Sequence, residues 1–140
     1  MTPLSRAIQI AVQAHDGQVD KAGQPYILHP LRVMLAMKTE DERIVAVLHD
    51  VIEDGAEVSV GQIRREFGDH IAEAAMALTR ETSGEHYAKF IDRVANSPLA
   101  TRVKLADLRD NLRPERAAVL TESHRRRYEN ALERLNGHRG

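Results

Sequence analysis

Ile44-Val45-Ala46-Val47-Leu48-His49-Asp50-Val51-Ile52-Glu53-Asp54 is apolar for five residues and then carries four ionisable groups among its last six. Thr39, with Glu42 three residues later, has capping-box spacing, so a helix is expected over about residues 40–53. On such a helix His49 lies under Glu53 and Asp50 under Asp54, each pair at i,i+4. The four groups then share one edge, while Val47, Leu48, Val51 and Ile52 cover the rest. Desolvating carboxylates on a buried helix is costly unless something positive compensates them, and a metal ion does so. The alternative is an exposed helix end whose charges are simply wet.

Outward from this segment the apolar spacing stays helical, with no convincing strand alternation. Thr2 before Pro3 reads as an N-cap with proline at the first helical position. The helix it opens reaches about His15, with Leu4, Ala7, Ile8, Ala11, Val12 and Ala14 on its core face. Residues 17–28 contain Gly17, Gly23 and Pro25 and read as a loop. A short helix follows His29-Pro30, with Leu31, Val33, Met34, Leu35 and Met37 mostly buried. Ser59 with Gln62 repeats the capping spacing, Gly68 stops that helix, and Asp69 is expected to cap the next. Thr82-Ser83-Gly84 reads as a loop before the helix marked by Tyr87, Phe90, Ile91 and Val94. Ser97-Pro98 opens a helix carrying Leu99, Val103, Leu105, Leu108 and Leu112, which Pro114 closes or kinks. A last helix, about residues 122–135, ends before Gly137. The expectation is an all-α compact bundle of short helices, one domain over residues 1–140.

Composition agrees. A chain of 140 residues can bury roughly 70% of its unfolded surface, and 42% hydrophobic with 29% charged residues is a globular balance. Without cysteine, disulfides and thiolate metal sites are excluded, and a reducing cytoplasm fits. No signal-peptide core or transmembrane-length run is present, so no membrane partner is expected. A net charge of -1 does not favour nucleic acid. His124-Arg125-Arg126-Arg127 reads as a solvated helix face rather than an anion patch.

Asp107 lies in the apolar helix Val103-Lys104-Leu105-Ala106-Asp107-Leu108, with Asn111 one turn later on the same face. Alone, such an Asp is more often solvated or ion-paired than a ligand. His29, alone, is more often a capping or core histidine. With His49 and Asp50 they offer two imidazoles and two carboxylates, a set suited to divalent manganese, iron or zinc. Such a site leaves positions open for water and a phosphate oxygen. His15 is read as capping the carbonyls of the first helix, and His70, His86, His124 and His138 as surface residues.

The order His29, His49-Asp50, Asp107 resembles the H…HD…D pattern of the HD phosphohydrolase superfamily. More narrowly, Gly17-Gln18, Gly23, Pro25-Tyr26-Ile27, His29-Pro30, residues 49–54, Phe67-Gly68 and Lys104-Leu105-Ala106-Asp107 with Asn111 resemble the hydrolase domain of RelA/SpoT proteins. The likeness spans about residues 11–112. It implies an HD-domain fold and removal of the 3′-pyrophosphate from alarmones such as ppGpp, with manganese as the metal. The length suggests the stand-alone small alarmone hydrolases, with a homo-oligomer left open. The resemblance assigns His29, His49, Asp50 and Asp107 as metal ligands, and Glu53 and Asp54 as the acidic pair that positions and deprotonates water. It assigns Asn111 to the ribose or 3′ phosphates and Lys21 to the substrate loop, where it would offset pyrophosphate charge.

Three positions depart from that family. Asp20 stands where an Arg usually packs on the base, Ala22 where a small hydroxyl residue is usual, and Pro114 at a usually polar position. A carboxylate at 20 removes stacking surface and positive charge, although it can accept hydrogen bonds from a base amino group. The expectation is weaker ppGpp affinity, raised by Asp20→Arg, unless Asp20 faces solvent or pairs with Lys21. Another nucleotide substrate (an adenine alarmone or a phosphomonoester), a non-catalytic nucleotide- or metal-binding module and a site-free helical interaction domain are the competing readings. Retention of Glu53 and Asp54 favours an enzyme, since binding alone needs no water-activating pair.

Overall fold

The computed structural model describes residues 1–54, 57–81 and 85–139, with the backbone alone at 54, 138 and 139. The expected loop at Thr82-Ser83-Gly84 lies outside the described residues, as does the side chain of His138. The described residues are all-α, with a single isolated bridge between Val19 and Pro25.

Local signals explain most helix starts. In α1 (Pro3–Ala14) the Thr2 hydroxyl accepts the Ser5 N–H, and proline occupies the first turn. Ile10, not Val12, completes its buried face with Ala7 and Ala11; Val12 is exposed. The loop that follows uses positive φ at Gly17 and Gly23. It delivers the chain to α2 (Leu28–Leu35), which buries Val33 and Met34 but leaves Leu35 75% exposed, contrary to expectation. α3 (Glu40–Leu48) begins with the full capping box between Thr39 and Glu42.

The helix expected over residues 40–53 is divided. α3 stops at Leu48, His49 and Asp50 form a turn, and α4 (Val51–Asp54) resumes. The His49 N–H reaches back three residues to Ala46, and the His49 ring bonds that same carbonyl. The turn is thereby tightened where the site needs both side chains.

α5 (Val60–Phe67) is capped by Ser59, whose hydroxyl accepts the Gln62 N–H, while the Gln62 amide turns to Glu66. Gly68, at φ 93, ends α5 and itself occupies the N-cap of α6 (Asp69–Ala77). Asp69 pairs with Arg64 instead of capping. α7 (Tyr87–Ala95) and α8 (Pro98–Asn111) follow, the latter capped by Ser97 with proline in its first turn. Pro114 neither closes nor kinks α8. It opens an unexpected short helix, α9 (Pro114–Ala117), at the position where a missing N–H costs nothing. α10 (Glu122–Arg139) runs through Gly137; a helical glycine costs only about 1 kcal/mol, and Ala131 and Leu135 anchor the helix in the core.

Two helices organise the interior. α3 packs against α1, α2, α6 and α8, and α8 also meets α2, α7 and α10. Val45, Ala46, Val47 and Leu48 on α3 and Val103 and Leu108 on α8 are fully buried. The polar residues at their ends are therefore set on a rigid apolar frame.

Candidate active site

α2, the turn after α3, and α8 converge at one end of this frame. His29, in the first turn of α2, is 1% exposed, His49 3% and Asp107 4%. His29 Nε2 lies 2.8 Å from Asp107 Oδ1. His49 Nε2 lies 3.0 Å from Asp50 Oδ2 and 3.3 Å from Asp107 Oδ1. Ligand atoms of His29, His49 and Asp50 all fall within 4.8 Å of one another, with Asp107 against both imidazoles.

The chemistry of this set fits a divalent cation. His49 Nδ1 is 2.6 Å from the Ala46 carbonyl oxygen, which only accepts, so Nδ1 carries the proton. In a neutral ring the Nε2 lone pair then faces two carboxylates, and this buried atom has no hydrogen-bond partner among the described residues. Only a positive charge compensates that convergence: a second proton on the ring, or a metal. Burial opposes charge on His49, but Asp50 and Asp107 outweigh it and push its pKa well up. For His29 burial is likewise outweighed, by its hydrogen bonds to Asp107 and Asp110. Asp107 is held well below the usual carboxylate range, against burial, chiefly by Lys104 and His49. Asp50 is lowered, against burial, mainly by His49.

A shell of supports, mostly unassigned from sequence, orients these groups. Asp110 Oδ2 lies 2.5 Å from His29 Nδ1, and the carboxylate is gripped by Arg32 at 2.7 and 3.0 Å. The Tyr26 hydroxyl donates to Asp50 Oδ2. Lys104 Nζ donates to Asp107 Oδ2 at 2.8 Å. Lys104, Asp107 and Asp110 recur at three-residue steps on α8, so helical spacing from Asp107 could have drawn attention to them. Nothing local marks Arg32 or Tyr26 as their partners.

A cavity of about 420 Å³ opens over the cluster, lined by His29, Asp50 and Asp107 and also by Asp20, Lys21, Glu53 and Asn111. His49 lies buried behind that wall. Glu53, on α4, accepts the Arg80 N–H at 2.5 Å; the side chain of Asp54 is outside the described residues. Asn111 Nδ2 is 3.5 Å from Asp107 Oδ1. Lys21 is exposed and makes no ion pair with a described residue. Asp20 neither faces solvent nor pairs with Lys21. Its side chain is 8% exposed, Oδ1 accepts the Ala22 and Gln24 N–H groups at 2.9 Å, and Oδ2 meets Arg116 Nη1 at 3.1 Å. An arginine at position 20 would break all three contacts, so the expected gain from Asp20→Arg does not survive this geometry.

Two histidines, His15 and His124, and the basic stretch depart from the sequence expectation. The His15 backbone caps α1, but its buried ring bonds Gln18 and packs on Tyr26 instead of meeting helix carbonyls. His70 and His86 are exposed. His124 is half-buried and stacks on Tyr128. Arg127 turns from the solvated face to the cavity, with its guanidinium 4.9 Å from the Tyr87 ring centroid.

This bundle with a His-Asp cluster between its central helices defines a class: the HD domain family model matches residues 7–113, and the chain belongs to that family. Among its relatives is the guanosine-3′,5′-bis(diphosphate) 3′-pyrophosphohydrolase of Aquifex aeolicus (strain VF5), 31% identical over 79% of this chain and 17% of that protein. The bifunctional (p)ppGpp synthase/hydrolase SpoT of Escherichia coli (strain K12) is 32% identical over 79% of this chain and 18% of its own length. The chain thus spans less than a fifth of these curated relatives. A solved structure of a metazoan ortholog of SpoT that hydrolyzes ppGpp superposes with a TM-score of 0.81 and 25% identity, covering 99% of this chain and 85% of the other. No helix among the described residues is long and apolar enough to cross a membrane.

Proposed function

We propose that the chain is a metal-dependent hydrolase that removes the 3′-pyrophosphate from a guanosine alarmone such as ppGpp. The observation that carries this reading is the His29, His49, Asp50 and Asp107 cluster, in which the His49 Nε2 lone pair faces two carboxylates just behind the wall of a cavity of about 420 Å³ that His29, Asp50 and Asp107 line. The relatives that hydrolyse ppGpp support the choice of substrate.

His29, His49, Asp50 and Asp107 would hold the cation, manganese in this reading. When bound it would supply Lewis-acid polarisation of the 3′-phosphoryl group and a lowered pKa for the attacking water. Glu53 and Asp54 accept the water proton as its oxygen bonds to phosphorus. The ester bond to the 3′ oxygen breaks, that oxygen takes a proton, and guanosine 5′-diphosphate and pyrophosphate leave. Lys21 offsets pyrophosphate charge and Asn111 contacts the ribose side. Asp110, Tyr26 and Lys104 keep His29, Asp50 and Asp107 in place, so little reorganisation is required when substrate enters. We place this activity in the cytoplasm, with a soluble nucleotide as partner.

Manganese-reconstituted protein should release pyrophosphate from ppGpp, assayed beside its adenine counterpart and simple nucleoside phosphates with pyrophosphate and phosphate read separately. Full metal occupancy with no pyrophosphate from ppGpp would overturn the reading. Preferential release from the adenine compound would move the base assignment and keep the chemistry.

A further inference from the structure

Asp20 and Arg116 are 96 residues apart in the chain yet meet in the cavity wall. Their side chains are 8% and 16% exposed, so the pair is largely removed from water. Arg116 Nη2 donates to Asn111 Oδ1 at 3.1 Å, and Asn111 Nδ2 reaches Asp107 at 3.5 Å. One amide side chain therefore separates the guanidinium from the metal-ligand cluster. Of the other cavity cations, Lys104 is committed to Asp107 and the Arg80 guanidinium to the Glu85 carbonyl, Arg127 lies over the Tyr87 ring, and Lys21 is exposed on the loop.

The contacts on Arg116 leave capacity for a ligand. One N–H on each Nη is used, Nε is 3.9 Å from Asp110 Oδ2 and outside hydrogen-bond range, and a guanidinium carries further donors in its plane. Asp20 can release Arg116 without losing its own place, because Oδ1 remains fastened to the loop through Ala22 and Gln24. A fixed planar cation with spare donors suits a phosphate group, which accepts two parallel hydrogen bonds from it.

We propose that Arg116 is a phosphate-binding and specificity-determining residue of this cavity, and that Asp20 and Asn111 are the positioning residues that hold it. The assignment rests on reading the cavity as a nucleotide pocket. Asp20 then serves the substrate through Arg116, and the positive charge missing at position 20 enters the cavity from α9.

The test is calorimetric titration of metal-loaded protein with guanosine 3′,5′-bisphosphate and with guanosine, with melting temperatures recorded for every variant. Arg116→Ala should weaken bisphosphate binding by at least about tenfold, the scale of a lost charge-assisted hydrogen bond, and leave guanosine binding unchanged. Arg116→Lys should fall between, since an ammonium cannot span Asp20, Asn111 and a phosphate together. Asp20→Arg should also weaken the bisphosphate, and the exchange Asp20→Arg with Arg116→Asp should recover only a small part of the loss, because the reversed ion pair restores neither the Ala22 and Gln24 contacts nor a guanidinium at position 116. If Arg116→Ala does not fold, the lysine variant decides. Wild-type affinity in Arg116→Ala, equal weakening of both ligands, or no bisphosphate binding by the wild type would overturn the assignment. Failure of the proposed reaction is a separate result: Arg116-dependent bisphosphate binding with no pyrophosphate released from ppGpp.

Discussion

Replacing Asp110 by Asn should weaken binding of a divalent cation by about tenfold, and Asp110→Ala by up to about a hundredfold, the range for losing a partner behind a metal-ligating histidine. The carboxylate serves His29 Nδ1 at 2.5 Å and Arg32 at 2.7 and 3.0 Å, using both oxygens. An amide has one acceptor oxygen and presents N–H donors on its other side. The oxygen should stay with His29, which is buried, while Arg32, at 32% side-chain exposure, turns to water. His29 then keeps a neutral hydrogen bond in place of a charge-assisted one, roughly half as strong. The difference is about 1–1.5 kcal/mol, and 1.4 kcal/mol corresponds to about tenfold. Alanine removes the acceptor altogether and frees the ring to turn, hence the larger loss. Competition between the apo-protein and a manganese-sensitive chelator gives the dissociation constants directly, with Arg32→Ala as a milder control. Equal affinities for wild type, Asp110→Asn and Asp110→Ala would show that Asp110 does not orient His29 for a metal.

His49→Ala and Asp107→Ala should lose metal and activity together, and metal analysis showing full occupancy in both would refute their role as ligands. Glu53→Gln and Asp54→Asn should retain the metal but turn over about 100-fold more slowly; wild-type rates in both would remove the proton-acceptor role. Glu42 offers a pH test remote from the metal cluster. Burial opposes its charge, but the Lys38 and Thr39 N–H groups and Arg102 hold its carboxyl below the ordinary 4.5. Its stabilisation is therefore complete above that value and fades as pH falls through the lower folded one. Glu42→Gln should cost about 1 kcal/mol near neutrality, with the melting-temperature gap closing in acid; a gap constant with pH would contradict this. Leu48→Ala, at a fully buried position beside His49, should cost about 2–5 kcal/mol in denaturant unfolding.

Much of the fold is legible in the chain because helix initiation is local. Thr2-Pro3, Thr39 with Glu42, and Ser97-Pro98 each place a capping oxygen within three residues of the N–H it satisfies. The apolar periodicity behind those caps follows from 3.6 residues per turn and needs no partner to be recognised. The same locality exposes the motif at 49–50 and the three-residue steps on α8 from Lys104 to Asp110. Tertiary structure decides what sequence spacing could not contain. The helix through residues 40–53 breaks because the His49 ring and N–H both seek the Ala46 carbonyl at the rim of a site. His29 acquires its partners 78 and 81 residues away. Asp20 is held by an arginine 96 residues on, in a short helix that Pro114 begins rather than ends. Periodicity reports which face of a helix is buried, whereas an ion pair depends on which two faces the packing brings within hydrogen-bond reach.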